Sequence, residues 1–169
     1  MFTTTPFSIW ELNEKLLHGL ENIGWEFATQ VQKETIPLAL SGKDVIGQAR
    51  TGSGKTAAFG LPTMNACQAS GELQALILAP TRELANQVAE ELNNIQGEMG
   101  LIIQTVYGGT DLEKQARSLQ SGVDIIVGTP GRVMDMTERG HIDLGKPDFF
   151  VLDEADRMLD MGFFPDIMW

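Results

Sequence analysis

Eight residues, Ala49-Arg50-Thr51-Gly52-Ser53-Gly54-Lys55-Thr56, have the types and order that hold a phosphate group. Gly52 and Gly54 can adopt backbone angles closed to other residues, so successive N–H groups can turn inward around an anion. Lys55 brings an ammonium to the outer phosphates, and the Thr56 hydroxyl is an oxygen ligand suited to Mg²⁺. The generic pattern has glycine where Ala49 stands and is matched at its other positions. A glycine turn followed by a surface lysine is the simpler alternative. The flanks favour phosphate: Asp44-Val45-Ile46-Gly47 reads as a strand, and Ala57-Ala58-Phe59-Gly60-Leu61 reads as a helix whose amino end adds its dipole.

Further along, the apolar run Phe150-Val151-Leu152 delivers Asp153-Glu154-Ala155-Asp156. A carboxylate carried by a strand is the usual second half of a nucleotide-hydrolysing site, with Asp153 holding the metal through water. Glu154 is placed to take a proton from an attacking water. The alternative is a helix start rich in acid, since carboxylates favour that end. Pro80-Thr81-Arg82-Glu83-Leu84-Ala85 and Thr129-Pro130-Gly131-Arg132 each combine a hydroxyl, helix-start amides and one arginine, which suits a sugar–phosphate chain. Gly108-Gly109 leaves room for such a chain to approach the backbone. Taken singly, each of these is also an ordinary cap or turn.

The elements that must position these residues follow from periodicity. Ser8-Ile9-Trp10-Glu11 has the form of a capping box before a helix carrying Leu12, Leu16, Leu17, Leu20 and Ile23, closed by Gly24. Thr29 caps a second helical stretch, interrupted at Pro37. After the glycine loop, a helix over about 55–69 precedes the strand Ala75–Ala79, and Thr81 caps a helix with Leu84, Val88, Leu92 and Ile95 on one side. A strand from Leu101, a helix through Leu112, Ala116 and Leu119, a strand at Ile125–Val127, a helix opened by Pro130 and a strand at Phe149–Leu152 complete the series. Continuously apolar strands alternating with helices predict an α/β domain with a mainly parallel sheet flanked by helices. Ligands in such folds bind beyond the carboxyl ends of the strands. No repeat, low-complexity tract or linker marks a domain boundary.

With 12 basic against 23 acidic residues the net charge is −11, so bulk electrostatics cannot be what grips a nucleic acid. Contact with a polyanion must come from a few placed groups. One cysteine, Cys67, excludes an internal disulfide framework and fits a reducing compartment. No stretch approaches a membrane span and no leader-like amino terminus is present, which predicts a soluble, cytoplasmic protein without a membrane partner.

Ala49–Thr56, Pro80–Ala85, Gly108-Gly109, Thr129–Arg132 and Asp153–Asp156 together resemble, in order and approximate spacing, the DEAD-box ATP-dependent RNA helicases. That family has alanine at the position of Ala49. The resemblance covers essentially the whole chain and implies a RecA-like P-loop NTPase domain. It divides the chain into adenine-recognition helices over 1–42 and an ATP-binding core over 43–169, both parts of one domain. It also implies that Gln32 makes paired hydrogen bonds to adenine and that Phe7, 17 positions before Gly24, stacks on it. Trp25 and Ala28 depart from the family's phenylalanine and proline in this segment. The absence of an Asn-Lys-x-Asp segment, which reads guanine in GTPases, agrees with ATP.

By the same resemblance, Thr51, Gly52, Ser53, Gly54, Lys55 and Thr56 hold the triphosphate, Thr56 and Asp153 hold Mg²⁺, and Lys55, Asp153 and Glu154 are catalytic. Pro80, Thr81, Arg82, Gly108, Gly109, Thr129, Pro130, Gly131 and Arg132 hold RNA by its backbone, and Asp156 couples the nucleotide site to neighbouring motifs. The family continues beyond the point corresponding to Trp169 with a strand ending in Ser-Ala-Thr and a second RecA-like domain. The expectation is therefore the amino-terminal, ATP-binding part of a helicase that couples hydrolysis to local unwinding of an RNA duplex. Alone it would turn over weakly or not at all. The alternative is a nucleotide- or RNA-binding module with no turnover of its own.

Overall fold

The computed structural model describes residues 2–42, 53–154 and 157–158. The expected strand Asp44–Gly47, the residues Ala49, Thr51 and Gly52, and Asp156 lie outside the described residues. The chain divides into two compact units, one made of Met1–Gln68 with Glu91–Gly100, the other of Ala69–Glu90 with Leu101–Trp169.

In the first unit, β1 (Phe2–Pro6) and β2 (Phe27–Thr29) form an antiparallel pair. Neither strand was legible in the sequence, because short, locally polar segments carry no clear alternation. A single 3-10 turn over Phe7–Ile9 follows β1, and α1 runs Glu14–Asn22. The expected capping box at Ser8–Glu11 is absent. The cap of α1 is Asn13, whose side chain accepts from the Lys15 amide at 2.8 Å. The box is formed instead at the start of α2 (Gln30–Leu40), between Thr29 and Gln32. That helix runs through Pro37 without interruption. The first unit also holds α3 (Lys55–Asn65), which contains Pro62 and ends short of the expected residue 69.

Leu16, Gly19 and Leu20 are the buried face of α1. Gly19 lies against the backbone of the 95–97 turn: a Cβ there would run into the Ile95 carbonyl oxygen and lie 2.8 Å from the Gly97 nitrogen. Backbone cannot yield as a side-chain tip can. We expect Gly19→Ala to cost about 1–3 kcal/mol of stability, as overpacked sites do, read as a lower midpoint in urea unfolding.

The second unit is built on β3 (Ala75–Leu78), β4 (Ile103–Val106), β5 (Ile125–Gly128) and β6 (Phe149–Leu152). Among the described residues the order is β4-β5-β3-β6 and every pairing is parallel. The central strands β3 and β5 are buried at every residue, while β6 alternates between half-buried and exposed. That burial accounts for the unbroken apolar runs that predicted a parallel sheet. The remaining helices are α4 (Arg82–Ile95), α5 (Leu112–Gln120) and α6 (Pro130–Glu138). Leu76, Leu78, Val106 and Ile126 from the strands pack with Ala116 and Leu119 of α5 and Val133 and Met136 of α6 in one apolar cluster. Parallel strands in register bring four carboxyl ends to one edge: Leu78 is opposite both Gly128 and Leu152, and Gly128 is opposite Val106.

Candidate functional site

In the first unit, the described part of the glycine loop is Ser53-Gly54, leading directly into α3. Gly54 is the N-cap residue, with φ +87°, a left-handed conformation that strains any residue with a Cβ. The fold holds this turn through Gln32. Its Oε1 accepts the Thr29 amide at 2.9 Å, and its Nε2 donates to the Gly54 carbonyl at 3.0 Å. The Thr29 donor fixes which end of the amide is oxygen. Gln32 is buried, yet one amide proton and one lone pair remain unused by these two bonds.

The Ser53 hydroxyl is buried with no hydrogen-bond partner. A buried polar atom left unsatisfied is costly, and a phosphate oxygen would satisfy it. The first-turn amides of α3 likewise have no carbonyl one turn back within their own helix. These observations fit a phosphate at Ser53–Thr56, with the Thr56 hydroxyl as an oxygen ligand for a hard cation. Phe7 is differently placed from a freely stacking ring. It is 3% exposed, stacked on Trp25 at 6.4 Å between centroids and edge-on to Trp10 at 6.1 Å.

In the second unit, the residue after β3, β5 and β6 continues the ladder. The Ala79 amide donates to the Gly128 carbonyl at 2.9 Å, Thr129 to Val106 at 3.0 Å and Asp153 to Leu78 at 2.8 Å. Asp153 is thereby held, buried, at the end of β6. Glu154 has φ +54°, and among the described residues it alone, glycine aside, has a positive φ. Strain of this kind, of order 1–3 kcal/mol, concentrates at functional positions. Its carboxylate lies 3.9 Å from the Arg157 guanidinium.

The motifs with arginine converge at the same edge of the sheet. Arg82 opens α4 with its guanidinium 5.0 Å from the centre of the Tyr107 ring, a cation–π arrangement at the end of β4. Its Nη1 is 3.5 Å from where a Cβ on Gly109 would sit, and Gly109 has φ +84°. Arg132, on α6, donates to the Thr110 carbonyl at 3.2 and 3.3 Å and to Gln115 Oε1 at 2.9 Å. Thr81 serves as a cap, accepting the Leu84 amide at 3.2 Å, whereas Thr129 makes no side-chain cap bond before the buried Pro130. Gly108 and Gly131 are exposed, and a Cβ on either would meet nothing within 4 Å. Neither packing nor a positive φ demands glycine at either position. Sequence reasoning missed Tyr107 and Gln115. Tyr107 adjoins the paired glycines and could have been flagged, but Gln115 carries no sign of its role in the helical pattern.

A buried carboxylate at the end of a parallel strand in the second unit, and a left-handed glycine opening a helix in the first, are each features of nucleotide-binding α/β domains of the phosphate-loop class. The family profile described as DEAD/DEAH box helicase matches residues 29–169, and the chain belongs to that family. It is 52% identical over 164 residues to the RNA helicase CrhR of Synechocystis, covering 97% of this chain and 33% of that protein. It is 51% identical over 164 residues to the ATP-dependent RNA helicase CshA of Listeria monocytogenes, covering 96% of this chain and 32% of that one. The chain thus spans about a third of the length of these curated relatives. A crystal structure of a DEAD box protein from the hyperthermophile Methanococcus jannaschii superposes with a TM-score of 0.93 at 40% identity, over 99% of this chain and 46% of the other. The fold is accordingly the RecA-like α/β domain of that family. No described helix is long and apolar enough to cross a membrane.

Proposed function

We propose that this chain is the ATP-binding part of an ATP-dependent RNA helicase, acting in the cytoplasm together with a second RecA-like domain. The observation that supports this reading most directly is the Ser53-Gly54 turn, with its unsatisfied hydroxyl, tied by Gln32 to the segment that would read the base. In this reading Thr51, Gly52, Ser53 and Gly54 present amides to the phosphates, and Lys55 neutralises the outer ones. Thr56 and Asp153 are oxygen ligands for Mg²⁺, which when bound would offset charge on the transferring phosphoryl group. Glu154 orients the attacking water and accepts its proton.

The spare proton and lone pair of Gln32 suit an adenine edge, which donates and accepts side by side. Phe7 would stack on the base only after a rearrangement, since that residue is 3% exposed. RNA is held along its backbone by Pro80, Thr81, Arg82, Gly108, Gly109, Thr129, Pro130, Gly131 and Arg132, which predicts little sequence preference. Asp156 couples the two sets of residues.

Calorimetric titration with Mg·ADP and then Mg·GDP tests the nucleotide assignment. Saturable binding of ADP is expected, with little response to GDP. Lys55→Ala should weaken ADP binding about tenfold or more, the effect of removing a charge-assisted hydrogen bond. Equal affinity for the two nucleotides, or indifference to Lys55→Ala, would overturn the reading.

A further inference from the structure

Gln115 makes three side-chain hydrogen bonds, and each goes to a different part of the candidate RNA face. Its Oε1 accepts from Arg132 Nη1 at 2.9 Å. Its Nε2 donates to the Tyr107 carbonyl at 3.1 Å and to the Thr110 hydroxyl. One side chain on α5 therefore joins both ends of the Tyr107–Thr110 turn to the arginine of α6. Arg132 has a second anchor in the Thr110 carbonyl, so the residue Gln115 holds from one side it also holds through the turn. The same turn carries Tyr107, under the Arg82 guanidinium, and Gly109, beside it.

A guanidinium left to itself samples many rotamers, and ordering a long side chain on binding costs free energy. An arginine already held in one orientation by neutral acceptors keeps its charge for a ligand and loses less entropy on meeting it. Glutamine is suited to the task because its amide accepts and donates at once, which neither a carboxylate nor an ammonium does.

We propose that Gln115 is a positioning residue for RNA binding. It orients Arg132 and fixes the Tyr107–Thr110 turn so that both meet the sugar–phosphate chain preformed, without touching the RNA itself. This rests on the assignment of the Arg82, Gly109 and Arg132 face to RNA. Its test is a double-mutant cycle on the intact protein. The readout is fluorescence anisotropy of a labelled single-stranded oligouridylate, with Mg²⁺ and a nonhydrolysable ATP analogue present. Gln115→Leu, which keeps size but loses all three bonds, should raise Kd roughly five- to tenfold. In the Arg132→Ala background the same substitution should raise Kd by clearly less, about two- to threefold, because the route through Arg132 has been removed and only the turn remains to be disturbed. Gln115→Met is the second variant should the first fold poorly, and circular dichroism melting of each variant reports on folding.

A merely structural role would weaken binding equally in both backgrounds. That result, or no effect of Gln115→Leu and Gln115→Met while Arg132→Ala does weaken binding, overturns the inference and leaves the RNA assignment standing. If Arg132→Ala itself has no effect, or the unaltered protein does not bind the oligonucleotide, the RNA assignment fails and the inference falls with it.

Discussion

Gly54→Ala should abolish measurable Mg·ADP binding while leaving every charged group of the site in place. Two causes act together. The φ of +87° at Gly54 is left-handed, which costs a residue with a Cβ about 1–2 kcal/mol. The new methyl would also sit 2.5 Å from Gln32 Nε2 and 2.9 Å from Thr29 Oγ1, inside contact distance of the two residues that form the cap of α2. The alanine can be accommodated only by moving Gln32, which breaks its bond to the Gly54 carbonyl and disturbs the amide that would read the base. Phosphate loop and base-reading residue are thus lost together. The expected result is a loss of affinity beyond about a hundredfold, the sum of strain and one or two broken hydrogen bonds. Calorimetry with Mg·ADP checks it. Binding reduced less than the Lys55→Ala protein shows would mean that the turn can be rebuilt without Gln32, and that the coupling between them is incidental.

The second large effect concerns stability. Asp124 precedes β5 and is fully buried. Its Oδ1 accepts the amides of Ser70 at 3.1 Å and Gly71 at 2.9 Å and the Gln74 Nε2 at 3.0 Å, while Oδ2 accepts the Ile102 amide at 2.8 Å. Four donors on one carboxylate tie the segments leading into β3, β4 and β5 at the amino ends of those strands. Asp124→Ala would leave those part-buried donors without their acceptor, and each such group costs about 1–3 kcal/mol unless water reaches it. Partial relaxation makes an overall loss of about 3–5 kcal/mol the expected outcome, a large fraction of the stability of an ordinary domain. Thermal unfolding followed by circular dichroism would show a fall of ten degrees or more, on the order expected from such a loss. Asp124→Asn should also destabilise, because its amide nitrogen presents a donor to a donor. A melting temperature within a few degrees of the unaltered protein would mean that water replaces the carboxylate.

Much of this protein is determined by the sequence alone, and the reason is local. Glycine at 54, lysine at 55 and threonine at 56 are read as a phosphate-binding turn from backbone freedom, charge and a hydroxyl, each a property of one residue and its neighbours. Apolar runs such as Ala75–Leu78 and Ile125–Val127 specify buried parallel strands because both faces are covered. The family followed from five such motifs in order. Reading was least successful where two local patterns competed. Ser8–Glu11 and Thr29–Gln32 both have the spacing of a capping box, and only the second forms one, where pairing of β1 with β2 sets the entry of the chain into α2.

What only the tertiary structure decided is how distant residues share a task. The family resemblance assigns Gln32 to adenine, but its bond to Gly54 spans 22 positions and depends on α2 and α3 packing together. The same resemblance assigns Phe7 to stacking on the base, but does not foretell its burial against Trp10 and Trp25. Arg82, Tyr107, Gly109 and Arg132 come from three strand ends and meet because parallel pairing in register carries those ends to one edge. Gln115 and Asp124 had no motif at all. Asp124 accepts backbone amides 22 to 54 positions away, and Gln115 joins an arginine 17 positions on to a turn that precedes its own helix; neither partner set leaves a mark on the local sequence, so only the folded chain shows it.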